Sequence, residues 1–112
     1  MTSFEFGTIV LIAFPFTDQI RSKQRPAVVI SSKAYQQSKP DLILMAVTSQ
    51  IKARTSFGEV VIDEWKNAGL LKPSVIKPVI FTVEKNLIKK GLGQLASEDI
   101  KQLRQNLVTI ID

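Results

Sequence analysis

"TIVLIAFPFTDQIRSKQRPAVVIS", residues 8–31, reads as strand, loop and strand in one line. Apolar and β-branched residues fill 8–14, after Gly7 and before Pro15, and a second such run, "PAVVIS", covers 26–31. Runs this short, bounded by turn residues, favour strands over helices. The loop between them concentrates charge: Arg21, Lys23 and Arg25 fall within five positions, and Arg25 directly precedes Pro26. Proline biases the residue before it toward extended geometry and is itself tolerated at the first position of a strand. Arg25 is thereby held where a loop meets a sheet.

Working outward, "LILMAVT" at 42–48 and "GEVVID" at 58–63 read as two further strands. "SKAYQQSKPD" has room for one helical turn before Pro40, and "DEWKNAGL" reads as a short helix stopped by Gly69. "LLKPSVIKPVIFTVEKNLI" is extended, but its prolines at 73 and 78 argue against a central strand. The one long helix lies in "SEDIKQLRQNLVTIID". Ser97 is its expected N-cap, Glu98 and Asp99 suit its first turn, and Ile100, Leu103, Leu107 and Ile110 make its apolar face. The expectation is one domain over 1–112, a small and mostly antiparallel sheet or barrel with a C-terminal helix packed on it.

Hydrophobic residues at 45% and charged residues at 22% are those of a folded globular domain. Cysteine is absent, which removes disulfides and thiolate metal sites and fits a reducing cytosol. The N-terminal "MTSFEFG" lacks the basic start of a signal peptide, and no apolar run reaches the ~18 residues of a membrane helix. The expected location is therefore cytoplasmic. Fifteen Lys plus Arg against ten Asp plus Glu leaves a charge of +5, which attracts polyanions. There is no histidine, so any catalysis proceeds without the commonest acid/base group and metal ligand.

If the first three runs pair as consecutive antiparallel strands, residues 16–25, Pro26 and the "TSQ" at 48–50 meet at one edge. Thr48, Ser49 and Gln50 then face Arg25, and Lys52 and Arg54 extend the positive field. Such side chains hold phosphate oxygens by charge-assisted and neutral hydrogen bonds. The bland readings are a solvated basic turn, ordinary turn chemistry at Thr48, and core packing for Phe14, Phe16 and Trp65.

Taken in order, "GTIVLIAFPFTD", "SKQRPAVVISS", "DLILMAVTSQ", "WKNAGLLKPSVIK", "IFTVEKNLIKKGLGQL" and "SEDI" resemble the MazF/PemK toxins of type II bacterial toxin–antitoxin systems. The resemblance implies an SH3-like barrel, shared with the CcdB toxins, and a homodimer. It further implies sequence-specific, metal-independent cleavage of single-stranded mRNA, with inhibition by a cognate antitoxin. The family's catalytic residues correspond to Arg25 and Thr48. The chain departs from the pattern at Ile20 and Arg21, where glycine or serine is common, and at Pro78 and Val79, where polar residues are expected.

The expected reaction uses the RNA's own 2′-hydroxyl and leaves a 2′,3′-cyclic phosphate, with no cofactor and no metal. An arginine base is disfavoured, since a reference pKa of at least ~12.5 makes deprotonation near neutrality cost about 7 kcal/mol. Arg25 instead stabilises the phosphate as a cation, and Thr48 aligns it. RNA-binding candidates are Phe16, Thr17, Gln19, Ser22, Lys23, Gln24, Ser49, Gln50 and Lys52. Of these, Phe16 and the polar groups would read or stack on bases, and Lys23 and Lys52 would grip phosphates. The expected partners are single-stranded RNA and an acidic, partly disordered antitoxin segment. Alternatives are a non-catalytic toxin acting on a protein such as DNA gyrase, and a silent RNA- or antitoxin-binding module.

Overall fold

The structure, a computed structural model, describes residues 4–14, 23–52 and 54–111. Its strands are β1 (Thr8–Phe14), β2 (Lys23–Val29), β3 (Asp41–Thr48), β4 (Val60–Ile62), β5 (Ser74–Glu84) and β6 (Ile88–Gln94). Helix α1 (Lys33–Ser38) joins β2 to β3, and α2 (Ser97–Ile110) follows β6. The strands form one curled antiparallel sheet in the order β4-β5-β3-β2-β1-β6. Among the described residues no helix is long and apolar enough to cross a membrane.

Strand alternation sends side chains to both faces, and both are buried. One face carries Ile9, Val28, Met45, Val47 and Ile76, covered by Leu103 of α2. The other carries Val10, Ile12, Ala27, Val29, Leu42 and Leu44, closed by Phe4, Phe81 and Ile88. The helix face expected from spacing is the one that packs: Leu103 is fully buried, and Ile100, Leu107 and Ile110 lie partly buried beside it. Tyr35 of α1 donates to Asp41 at 2.8 Å. That bond, followed by desolvation and the nearby charge of Asp41, holds the phenol above its ordinary range.

Four local expectations need correcting. Residues 74–84 form the longest strand, and it lies inside the sheet between β4 and β3. It tolerates Pro78 because the β3 ladder shifts register there, from Val47↔Ile76 to Met45↔Ile80, while β4 pairs only as far as Ile76. Proline thus sits in a bulge where no ladder donor is missed.

Pro26 is the fourth residue of β2, not the first. Ile30 N–H donates to Ile43, so by alternation the nitrogen at 26 points toward β3, where the β2–β3 ladder has already ended at Ala27↔Ala46. "DEWKNAGL" is a set of turns rather than a regular helix. It does stop at Gly69 (φ +83°), with Gly69 N–H bonding Lys66 and Leu70 N–H bonding Trp65, the two bonds of a Schellman cap.

Ser97 is the first helical residue of α2, and Ala96 occupies the N-cap without a side-chain bond. The carboxylate at Asp99 turns outward instead and accepts from Asp63 N–H (3.1 Å) and Glu64 N–H (3.0 Å).

Candidate functional site

Strand register sets the site. Ala27↔Ala46, Val28↔Met45 and Val29↔Leu44 pair β2 with β3. Continuing that register toward the strand ends brings Pro26 opposite Val47 and Arg25 opposite Thr48. On the other side Leu11 pairs with both Pro26 and Lys90. Lys90, Leu11, Pro26 and Val47 therefore form a row across four strands, and all four line one open groove of ≈ 610 Å³.

Arg25 and Thr48 line the same groove, with Ser49, Gln50 and Ser74 beside them. Its wall is the loop Gly69–Lys72, its floor includes Leu92, and among the described residues no acid lines it. Arg25, Lys72 and Lys90 are exposed and have no described carboxylate partner. The Thr48 hydroxyl accepts from Gln50 N–H at 3.1 Å, which fixes its oxygen and leaves its own proton free to donate outward. A cation, a hydroxyl and two more polar side chains beside an apolar floor can hold a phosphate and a flat apolar group side by side.

The wall stands where it does because two glycines let backbones touch. A Cβ on Gly69 would fall 2.0 Å from the Leu92 carbonyl oxygen, and one on Gly93 2.5 Å from that of Ala68. Ser74 Oγ then donates to the Lys72 carbonyl at 2.9 Å and shapes the end of the loop.

Of the expected site residues, Arg25, Thr48, Ser49 and Gln50 are brought together. Gln24 and Lys52 are exposed but do not line the groove. Phe16, Thr17, Gln19, Ser22 and the side chain of Lys23 lie outside the described residues. Sequence reasoning missed Lys72 and Lys90. Lys72 carried little signal, because its cation–proline step recurs at Lys39-Pro40 and Lys77-Pro78, where the lysines do not line the groove. Lys90 carried none, since only pairing with Leu11 places it. Among the described residues no carboxylate group is arranged to hold a metal ion.

The family described as "PemK-like, MazF-like toxin of type II toxin-antitoxin system" matches residues 5–111. The chain belongs to this toxin family. No curated protein sequence matches it. Among solved structures, the MazE–MazF complex of Deinococcus radiodurans is similar at TM-score 0.76 and 21% identity, covering 98% of this chain and 97% of that one. A mycobacterial endoribonuclease in complex with its cognate antitoxin gives TM-score 0.76 at 17% identity, with 96% and 93% covered. Mycobacterium tuberculosis toxin MazF-mt6 gives TM-score 0.72 at 17% identity, with 91% and 93% covered. The fold is thus that of the MazF toxins, an SH3-like barrel with a C-terminal helix.

Proposed function

We propose that this toxin is an endoribonuclease that cuts single-stranded mRNA at short sequences without a metal. The observation that carries the reading is the groove that Arg25 and Thr48 both line, open, cationic and, among the described residues, without an acid. A neighbour of the same fold described as an endoribonuclease supports it.

In the proposed reaction the 2′-oxygen of one ribose forms a bond to the adjacent phosphorus and the bond to the 5′-oxygen breaks. The products are a 2′,3′-cyclic phosphate and a 5′-hydroxyl; the 2′-hydroxyl gives its proton to water and the leaving 5′-oxygen takes one up from water. Arg25 binds the non-bridging oxygens as their charge grows and stays cationic throughout. Thr48 donates to the same phosphate or aligns the 2′-hydroxyl. Sequence choice then falls to unstacked bases read by Gln50 and Ser49, and by the loop at 15–22.

The same reading includes a homodimer and an antitoxin. Phe57 is 79% exposed, and beside it Gly58 lies against Pro78 and Ile110, next to exposed Val79 and Ile111. This apolar patch suits a second copy of the chain. An acidic antitoxin segment suits the cationic groove, and two neighbours of this fold are complexes with an antitoxin. The expected setting is the cytoplasm, where mRNA is.

The test is to mix purified protein with single-stranded RNA in EDTA and map the fragment ends. Discrete cuts ending in cyclic phosphate are expected, and Arg25→Ala should slow cutting by ~10²–10³, the usual loss for a preorganised donor. A metal requirement, or full activity in that variant, removes the mechanism.

A further inference from the structure

The groove holds more than one phosphate needs. Arg25 and Thr48 occupy one end, yet the row Lys90–Leu11–Pro26–Val47 runs across the sheet and places a second cation beyond an apolar stretch. With strands ~4.8 Å apart, Lys90 stands about 10 Å from Pro26 along that row. Lys72 overhangs it from the wall, next to Leu71, which is 93% exposed. The open face of Leu71 beside two lysines without described partners suits a ligand that has both an apolar face and a negative charge.

We infer that Lys90 and Lys72 grip a phosphate next to the one cut, and that the floor between them and Arg25 takes one unstacked base. This deepens the nuclease reading and rests on it. A nucleotide offers a flat base flanked by phosphates, which matches an apolar row between cations. At ≈ 610 Å³ the groove lies in the range of pockets that enclose a small molecule, ~300–1,000 Å³, well beyond a lone anion. Lys90 and Lys72 are binding residues here: they hold substrate away from the bond that breaks.

Phosphate grips carry no sequence information, so the recognised RNA sequence need not be known to test them. The probe is a random-sequence, single-stranded 2′-O-methyl oligonucleotide, which lacks the nucleophile and cannot be cut. Lys90→Gln should weaken its binding ~5–10-fold, and the slope of log K against log [salt] should fall by ~0.7, the value for one phosphate contact on a single strand. Lys72→Gln should act in the same direction, and Lys90→Arg should restore both affinity and slope. On cleavable RNA, Lys90→Gln should raise KM with kcat within about twofold, whereas Arg25→Ala lowers kcat. 2-Aminopurine placed beside the cut should brighten on binding as it leaves the stack.

If wild-type protein cuts RNA but Lys90→Gln keeps its affinity and salt slope, this inference fails and the nuclease reading stands. If wild-type protein neither binds the oligonucleotide nor cuts RNA, both fail. Circular dichroism confirms that each variant is folded before its affinity is read.

Discussion

In the groove beside β2, three cations stand without described carboxylate partners, whereas in the hollow between β4 and α2 the side chains of Glu59, Asn106 and Thr109 each hold a hydrogen-bond partner within the fold. That hollow, ≈ 400 Å³, is lined by Glu59, Asp63, Gln102 and Asn106 among others. Glu59 accepts from Ser56 N–H at 2.8 Å and lies 3.9 Å from Lys77 Nζ. Asn106 donates to the Gly58 carbonyl at 2.7 Å, and Thr109 donates to that of Gln105 at 3.0 Å. Asp99, only 1% exposed, holds two backbone donors, those of Asp63 and Glu64. One hollow fixes the helix to the sheet. The other leaves charge unspent, which lowers stability a little through mutual repulsion and raises attraction for an anion. Two concavities of comparable size therefore differ in what their polar groups are for.

The largest effect that could break this comparison lies at Asp99. Asp99→Ala leaves the Asp63 and Glu64 N–H groups without an acceptor, and hydrogen bonds to a charged group contribute ~1.5–3 kcal/mol each before relaxation. A loss of about 3 kcal/mol is expected, or roughly 10 °C in melting midpoint for a domain this small. Asp99→Asn keeps one acceptor and should lose about half as much. Thermal denaturation followed by circular dichroism reads both. A midpoint unchanged in Asp99→Ala would mean that the buried carboxylate fixes nothing.

A smaller effect sharpens the contrast. Glu59→Gln removes the charge that faces Lys77 but keeps an acceptor for Ser56, so the cost is bounded by the value of a partly exposed ion pair, under ~1 kcal/mol. Raising the salt concentration should shrink the difference from wild type, because the Lys77 side chain is 39% exposed and screening reaches it. A salt-independent loss would assign the effect to packing.

How much of this was legible in the sequence depends on the range of the interaction. β1 was readable to the residue, since a β-branched run between Gly7 and Pro15 leaves little choice. That Arg25 and Thr48 line one groove follows from consecutive short strands pairing by default. Long-range choices were hidden. Lys90 joins the groove through a pairing with β1 whose register shifts at Ile9/Val10 and again at Leu11/Ile12. No local pattern announces two bulges. Pro78 looked like a strand breaker, and only the shifted β3 ladder around it shows why an interior strand accepts it. Asp99 read as a first-turn acid serving its own helix, yet its partners lie 35 and 36 residues away.

The smallest expected effect bears most directly on the contrast. Arg25 is exposed, lacks a described acidic partner and shares the groove with Lys72 and Lys90. Its removal takes away no described hydrogen bond and relieves repulsion among like charges. Arg25→Ala should therefore leave stability within about ±0.5 kcal/mol, as for surface positions generally. At low salt, where repulsion is least screened, any shift should be upward. The variant that most impairs cutting would then be among those that least disturb folding, the reverse of Asp99→Ala. A melting midpoint that falls in Arg25→Ala as far as it does in Asp99→Ala would show that the guanidinium supports the sheet, and the distinction between a hollow that holds the fold and one that holds a ligand would be lost.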